Sequence, residues 1–213
     1  MQITNLTAQV KNPDRINVFV DGKFRFGLDV SQIVDLGIKV GLEIDDVSLA
    51  ELEIESQFGK LYAQALSYSF VRPRSVREVR DYLWKKSQSK LLKSGKKTTG
   101  LPLELTERVV QILLEKGYLD DIKFTTWWVE NRFLKKGVSR RRLEQDLFRK
   151  GVSSEIIKQV LTESNRDDES ELKKMLAKKR ARYDDQKLLA YLVRQGFNYD
   201  DVRQAMADYQ SDG

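Results

Sequence analysis

The stretches SRRRLEQDLFRKGVSSEIIKQVL (139–161) and DDQKLLAYLVRQGFNYDDVRQAM (184–206) share one plan at a constant offset of 45 residues. Ser139 and Asp184 stand where a helix begins, since both side chains accept from the free N–H groups of a first turn. Leu143 and Leu147 recur as Leu188 and Leu192, one helical turn apart on a single face. Gly151 and Gly196 supply the left-handed stop that commonly ends a helix. Ser153 and Asn198 open a second helix, with Ile157 and Leu161 on the core side of one copy and Val202 and Met206 in the other. Caps, core positions and stops that recur at a fixed interval mark a repeat architecture, and this decides the fold.

A third copy lies upstream with its two helices further apart. Ser75, Val79 and Leu83 match Ser139, Leu143 and Leu147 at offset 64, while Thr106, Val110 and Leu114 match Ser153, Ile157 and Leu161 at offset 47. This copy therefore carries 17 extra residues, close to KSQSKLLKSGKKTTGLP, a Lys-, Ser- and Gly-rich insertion near 87–103 that reads as a mobile loop. A further helical stretch precedes each copy: 56–70, 124–136 and 169–183. The expected architecture is mainly α: three tandem three-helix, helix-turn-helix-like repeats after an N-terminal β-hairpin or small antiparallel sheet. The boundaries fall at 1–45 for the N-terminal module and at 46–121, 122–165 and 166–213 for the repeats. A three-helix unit has a thin core, so neighbouring repeats are expected to stack end to end and offer a long concave surface.

The N-terminal 30 residues have a different period. Ile16, Val18 and Val20 alternate, as do Phe24, Phe26 and Leu28, about the Asp21-Gly22 dipeptide favoured in two-residue type I′ turns. An earlier strand, 3–10, pairs alongside with Asn12-Pro13-Asp14 as its turn. So small a sheet needs a partner, expected to be the helical body through Val34, Leu36 and Ile38 or the helix that follows.

Composition narrows the function. The 213 residues contain no Cys and no His, which excludes disulfides, thiolate catalysis, Cys/His zinc sites and imidazole acid–base chemistry. No phosphate loop of the G-x-x-x-x-G-K-[ST] type and no G-x-G-x-x-G occurs. The chain reads as a non-enzyme without cofactor or metal. No run approaches eighteen apolar residues and the N-terminus has no signal-peptide pattern, so the protein is read as cytoplasmic with no membrane contact. Residues 1–55 carry 5 Lys/Arg against 10 Asp/Glu, whereas 56–213 carry 33 against 22. An acidic module thus precedes a basic body with a net charge of +11, suited to nucleic acid or an acidic protein surface.

Three basic runs are candidate contacts. Lys85, Lys86, Lys90, Lys93, Lys96 and Lys97 lie in and before the insertion. Lys135, Lys136, Arg140, Arg141 and Arg142 cross the start of a helix in the second repeat, and Lys173, Lys174, Lys178, Lys179, Arg180 and Arg182 lie in the first helix of the third. A single run is ordinarily a solvated helix face; three, at repeated places in a basic body, put binding on equal terms with solvation. Trp127, Trp128, Phe124, Phe133 and Phe148 read as core more than as base-stacking residues, with one of the adjacent tryptophans partly exposed. Asp120-Asp121 reads as a helix cap rather than a metal site. Two of the three candidate recognition helices, SSEIIKQVL, NYDDVRQAM and LTERVVQIL, carry acids in the first turn, which argues against base readout.

Over almost its whole length the sequence resembles the RecX regulatory proteins. The resemblance rests on ALSYSFVRPRSVREVRDYL (65–83), EKGYLDDIKFTTWWVENR (115–132), SRRRLEQDLFRKGVSSEII (139–157) and KLLAYLVRQGFNYDDV (187–202), and most of all on Arg72-Pro73-Arg74-Ser75, Gly117–Asp121 with Trp128 and Arg132, and Gly196-Phe197 before Tyr199-Asp200. It implies a three-repeat helical fold without catalytic activity. It also implies a role in DNA recombination, repair and the SOS response: lodging in the groove of the RecA–DNA filament, blocking growth or favouring disassembly, and lowering RecA recombinase, ATPase and coprotease activities. Single-stranded DNA would then be met through the filament. The Lys-rich insertion departs from the compact family pattern. Charge and position select Arg72, Arg74, Lys135, Lys136, Arg140, Arg141, Arg142, Lys174, Lys178 and Arg182 as residues touching RecA or DNA. The alternatives are a helix-turn-helix-like DNA-binding module and an adaptor for another acidic protein.

Overall fold

The structure is a computed structural model that describes residues 1–89 and 99–211. The insertion's lysines Lys90, Lys93, Lys96 and Lys97, and its reading as a mobile loop, fall outside the described residues. A three-stranded antiparallel sheet in the order β1-β2-β3 is formed by β1 (Ile3–Gln9), β2 (Asn12–Val20) and β3 (Lys23–Asp29). The helices are α1 (Val30–Asp35), α2 (Asp46–Phe70), α3 (Val76–Ser87), α4 (Leu103–Glu115), α5 (Asp121–Asn131), α6 (Arg140–Arg149), α7 (Ser154–Glu163), α8 (Asp168–Lys179), α9 (Asp185–Arg194) and α10 (Tyr199–Ser211), with a 3-10 turn at Arg180–Arg182. The fold is mainly α: α2-α3-α4, α5-α6-α7 and α8-α9-α10 follow the sheet as three-helix repeats.

The described chain falls into two compact units. One holds Met1–Val71 and the described part of Arg80–Glu115; the other holds Arg72–Val79 and the chain from Lys116 onward. In the first, Ile3, Val18, Val20, Phe26 and Leu28 form the inner face of the sheet and pack with Ile38, Leu49 and Leu52. The sheet's partner is thus α2 together with Ile38, while Val34 and Leu36 are exposed, contrary to expectation. Asp21 and Gly22 take φ of 48° and 74°, the two positive values that a type I′ turn demands.

Sequence alternation fails at two places in the sheet, both at register shifts. Val18 pairs with Phe26 but Phe19 pairs with Phe24, so a bulge turns Phe24 away from Phe26 and Leu28. Phe24 is exposed and meets Phe19 edge-on at 6.0 Å. Asn12-Pro13-Asp14 is not the turn; it begins β2, where the register shifts between Ala8 and Gln9. An irregular ladder tolerates a proline that has no N–H to donate.

In the helices, Ser139, Ser153 and Asp184 cap α6, α7 and α9 as read, and Asp120 caps α5 by accepting from Ile122 and Lys123 N–H at 2.8 and 3.0 Å. Three helices depart from expectation. Helix α2 starts at Asp46, where the first repeat was expected to begin but ten residues before the helical stretch 56–70, because the Asp45 side chain caps it by accepting from Ser48 N–H. Helix α4 starts at Leu103, directly after Pro102, so Thr106 lies inside its first turn and bonds the Leu103 carbonyl at 2.7 Å instead of capping. Leu113, not Leu114, then takes the deeply buried position. Helix α5 ends at Asn131, and Phe133 adopts φ of 54°, turning the chain well before residue 136.

Candidate functional site

In the second unit the repeat extends beyond elements to the contacts between them. Ser139 Oγ accepts from Arg142 N–H at 3.1 Å, capping α6, and donates to the carbonyl of Gln195 at 2.6 Å, where α9 ends. Ser75, at the matching place, accepts from Glu78 N–H at 3.1 Å and donates to the carbonyl of Lys150 at 2.8 Å, where α6 ends. Backbone N–H groups follow the same rule: Val76 donates to Asp121 at 2.9 Å and Arg140 to Asp168 at 2.6 Å. Each hydroxyl thus caps one helix with a lone pair and ties the next repeat with its proton.

A buried charge cluster fixes the second repeat to the third. Glu171, 2% exposed, bonds Arg166 at 2.6 Å and Lys174 at 2.8 Å and accepts from Val138 N–H at 2.9 Å. Arg166 also donates to the carbonyls of Val129 and Arg132 at 2.6 and 2.7 Å, so it serves the end of α5 as well. Burial pushes the Glu171 carboxyl up, but its bonds to Arg166, Lys174 and Val138 prevail and hold it below the ordinary value. Glu78 is balanced the same way: burial raises it, and Arg72 and Lys150 together bring it below normal. Asp168 is raised, because burial outweighs the Arg140 N–H bond and charge.

Beside this cluster lies a cavity of about 500 Å³. Its walls come from the turn after α5, the first half of α6, the end of α8 with its 3-10 turn, and α9. They carry Lys136, Arg142, Lys178, Lys179 and Arg182, with no carboxylate among the lining residues. Phe133, Val138 and Met175 supply apolar surface, and Tyr191 and Gln195 supply neutral polar groups. The Lys178 ammonium donates to the Lys135 carbonyl, tying α8 to the turn. Lys179 lies 5.3 Å from the ring centre of Tyr191, which stacks on Tyr183 at 5.5 Å. Arg142 Nε is 3.6 Å from Asp146, and Lys136 and Arg182 have no carboxylate partner among the described residues. A concave wall carrying charge of one sign concentrates its field and draws counter-ions.

Four of the ten sequence-selected residues therefore meet in one cavity: Lys136, Arg142, Lys178 and Arg182. The others lie elsewhere. Arg72 is committed to Glu78 at 2.9 Å and stacks on Trp127 at 5.3 Å; Arg74 is half-buried; Lys174 holds Glu171. Arg140 reaches Thr162 at 3.4 Å and Glu144 at 3.9 Å, Arg141 is exposed, and Lys135 lends its carbonyl. Trp127 is half-buried and Trp128 buried, as their adjacency requires. Lys179 belonged to the third basic run but not to the ten, and sequence reasoning did not select Tyr191 or Gln195. A signal was present: Tyr191 and Gln195 stand at the repeat positions of Asp146 and Lys150, where the third repeat replaces charge with neutral groups. Among the described residues no helix is long and apolar enough to cross a membrane, and no three potential metal ligands converge.

The family model described as the regulatory protein RecX N-terminal domain matches residues 1–45, and that described as RecX, second three-helix domain, matches residues 120–161. "Regulatory protein RecX" of Bacillus subtilis (strain 168) is 30% identical over 168 residues, 79% of this chain and 59% of the relative. Its namesake from Bacillus pumilus (strain SAFR-032) is 28% identical over 161 residues, 76% of this chain and 56% of the relative. The matched region thus spans less than three fifths of the length of these relatives. A solved structure titled "Crystal structure of regulatory protein RecX" superposes with a TM-score of 0.72 over 97% of this chain and 98% of that one, at 21% identity, a likeness of fold.

Proposed function

We propose that the chain is a member of the RecX family of regulatory proteins and that it regulates RecA by binding the RecA–DNA filament. It lodges against the filament, restrains growth or favours disassembly, and so lowers strand exchange, ATP hydrolysis and RecA-stimulated repressor cleavage. It acts in the cytoplasm as a binding protein without a reaction of its own, and it meets single-stranded DNA through the filament. The observation that carries this reading is the match to two family domains, at residues 1–45 and 120–161, on a chain whose second and third repeats join as one basic body. Its contacts come from the cations of those repeats, Lys135, Lys136, Arg140, Arg141, Arg142, Lys178 and Arg182, which suit acidic protein surface and phosphates together. Arg72, Arg74 and Lys174, half-buried or committed to internal partners, serve by shaping that body.

A bound or capped filament end stops growth, so inhibition requires less than one copy per RecA. The test is RecA assembly on a labelled single strand, followed by fluorescence anisotropy as this protein is titrated. Arrest of growth well below equimolar protein supports capping. A requirement for one copy per RecA contradicts capping, and unaltered assembly contradicts the proposal as a whole.

A further inference from the structure

We infer that each repeat docks a protein partner through an exposed apolar side chain followed by a cation near the end of its second helix: Trp84-Lys85, Phe148-Arg149 and Val193-Arg194. The partner that these pairs fit is a protein surface on which apolar side chains stand beside carboxylates. The inference rests on the proposed function, which makes that partner the RecA protein of the filament, and the test below separates the failure of one from the failure of the other.

The three pairs occupy one repeat position. Each directly follows a fully buried leucine, Leu83, Leu147 or Leu192, at the same offsets of 64 and 45 residues that align the helix starts. The next side chain turns outward: Trp84 is 55% exposed, Phe148 66% and Val193 36%. Phe148, expected in the core, is therefore a surface residue. Neighbouring surface positions show no such constancy. Four residues earlier stand Arg80, Glu144 and Leu189, and three residues earlier Asp81, Gln145 and Ala190. By contrast, 84, 148 and 193 are apolar in all three copies, and 85, 149 and 194 are basic in all three. One exposed apolar side chain is ordinary and needs no explanation. The same exposed place kept apolar in three copies, with a cation after it while its neighbours change, marks an interaction surface.

Arginines of the preceding repeats strengthen the two later pairs. Gly151 and Gly196 lie three residues beyond Phe148 and Val193. Arg77 packs over Gly151, where an added Cβ would meet its Cδ at 2.6 Å, and Arg141 packs over Gly196, where an added Cβ would meet its Cβ at 3.3 Å. Arg77 and Arg141 are both exposed and themselves share a repeat position, 64 residues apart. Each of these helix ends thus carries an apolar centre, its own cation and a cation from the repeat before. Lys85, Arg149 and Arg194 are exposed; Arg149 meets Asp146 at no closer than 3.7 Å. Cations around an apolar centre select carboxylates around an apolar counterpart. Base stacking would suit Trp84 and Phe148, but Val193 has no ring to stack, whereas all three side chains can fill an apolar socket. The repeat position therefore favours a protein over a nucleic acid.

The test is fluorescence anisotropy of the labelled full chain against preformed RecA filaments on single-stranded DNA, held with a non-hydrolysable ATP analogue, over a range of salt. W84S/F148S/V193S removes the three apolar side chains. V34S/V47S/L103S removes three others, exposed to a similar or greater degree but outside the repeat position. Melting curves establish that both variants fold, and F148S alone replaces the first if it does not. The expected result is filament binding weakened about tenfold or more by the repeat-position variant at every salt concentration, and less than about threefold by the control. W84L/F148L, which keeps apolar bulk without a ring, is expected to stay within about threefold of the native chain. K85Q/R149Q/R194Q is expected to flatten the salt dependence of binding. Equal weakening by the repeat-position variant and the control, or a salt dependence untouched by K85Q/R149Q/R194Q, overturns the inference. Binding by W84L/F148L as weak as that of the serine variant identifies base stacking and overturns it as well. A native chain that binds no filament contradicts the proposed function and this inference with it; one that binds equally well without the three side chains loses only the inference.

Discussion

At the scale of single residues, two side chains hold the second unit through more than one bond each. Ser139 both accepts from Arg142 N–H and donates to the Gln195 carbonyl. Ser139→Ala removes both and is expected to cost about 1–3 kcal/mol in urea unfolding. Ser139→Asp keeps the cap but has no proton for the carbonyl, so it remains destabilising, whereas Ser139→Thr retains most of the stability. A Ser139→Asp variant as stable as native would disprove the double role. Glu171 is the stronger case, since Glu171→Ala leaves Arg166 and Val138 N–H without their carboxylate, an expected loss of about 3–5 kcal/mol. Its folded pKa is depressed, so its contribution is present above the ordinary value of 4.5 and fades as the pH falls through the folded value. Glu78 acts in the same direction and Asp168, raised by burial, in the opposite one. Glu171→Gln should therefore lower stability at pH 7 and flatten the acid limb below about pH 4.5, measured by urea midpoints across pH. The capping role of Ser139 was legible from its place before the leucine pair. Its donation to Gln195 was not, because the partner lies 56 residues away across a repeat junction.

At the scale of elements, the repeated stop glycines are also contact points. Gly196 has φ of 96°, and an added Cβ would sit 2.6 Å from Ser139 Oγ; Gly117, at φ of 70°, has nothing within 4 Å. Gly117→Ala therefore costs only backbone strain, about 1 kcal/mol, while Gly196→Ala adds a clash at the junction and should cost visibly more in thermal unfolding. Equal losses at the two positions would mean that the third repeat yields there without cost. The interval of 45 residues, the caps and the leucine faces made these helices readable, since each depends on local chemistry and a period of 3.6. What misled was non-local or irregular. The bulge between Val18 and Phe19 reversed Phe24, and Pro102 moved the start of α4. The positive φ of Phe133 ended the α5 segment early and brought Lys136 against α6 and α8. The basic runs were visible as composition. Which five of their members share a cavity depended on that turn and on the phase of α8, neither of which a charge pattern encodes.

At the scale of the whole molecule, charge is divided along the chain, with 10 acids against 5 bases in residues 1–55 and 33 bases against 22 acids thereafter. A partner held by that basic body is held partly by screened forces, which weaken as the Debye length falls from about 10 Å at 0.1 M salt to about 3 Å at 1 M. The measurement that bears most directly on the proposed regulation is ATP hydrolysis by the cognate RecA on single-stranded DNA, with this protein added below equimolar amounts over a range of salt. Hydrolysis is predicted to fall progressively with added protein, to recover as salt rises, and to be far less affected by the variant R140A/R141A/R142A. Hydrolysis untouched by the native chain at every salt concentration would contradict regulation of RecA and leave a three-repeat helical protein that binds something else.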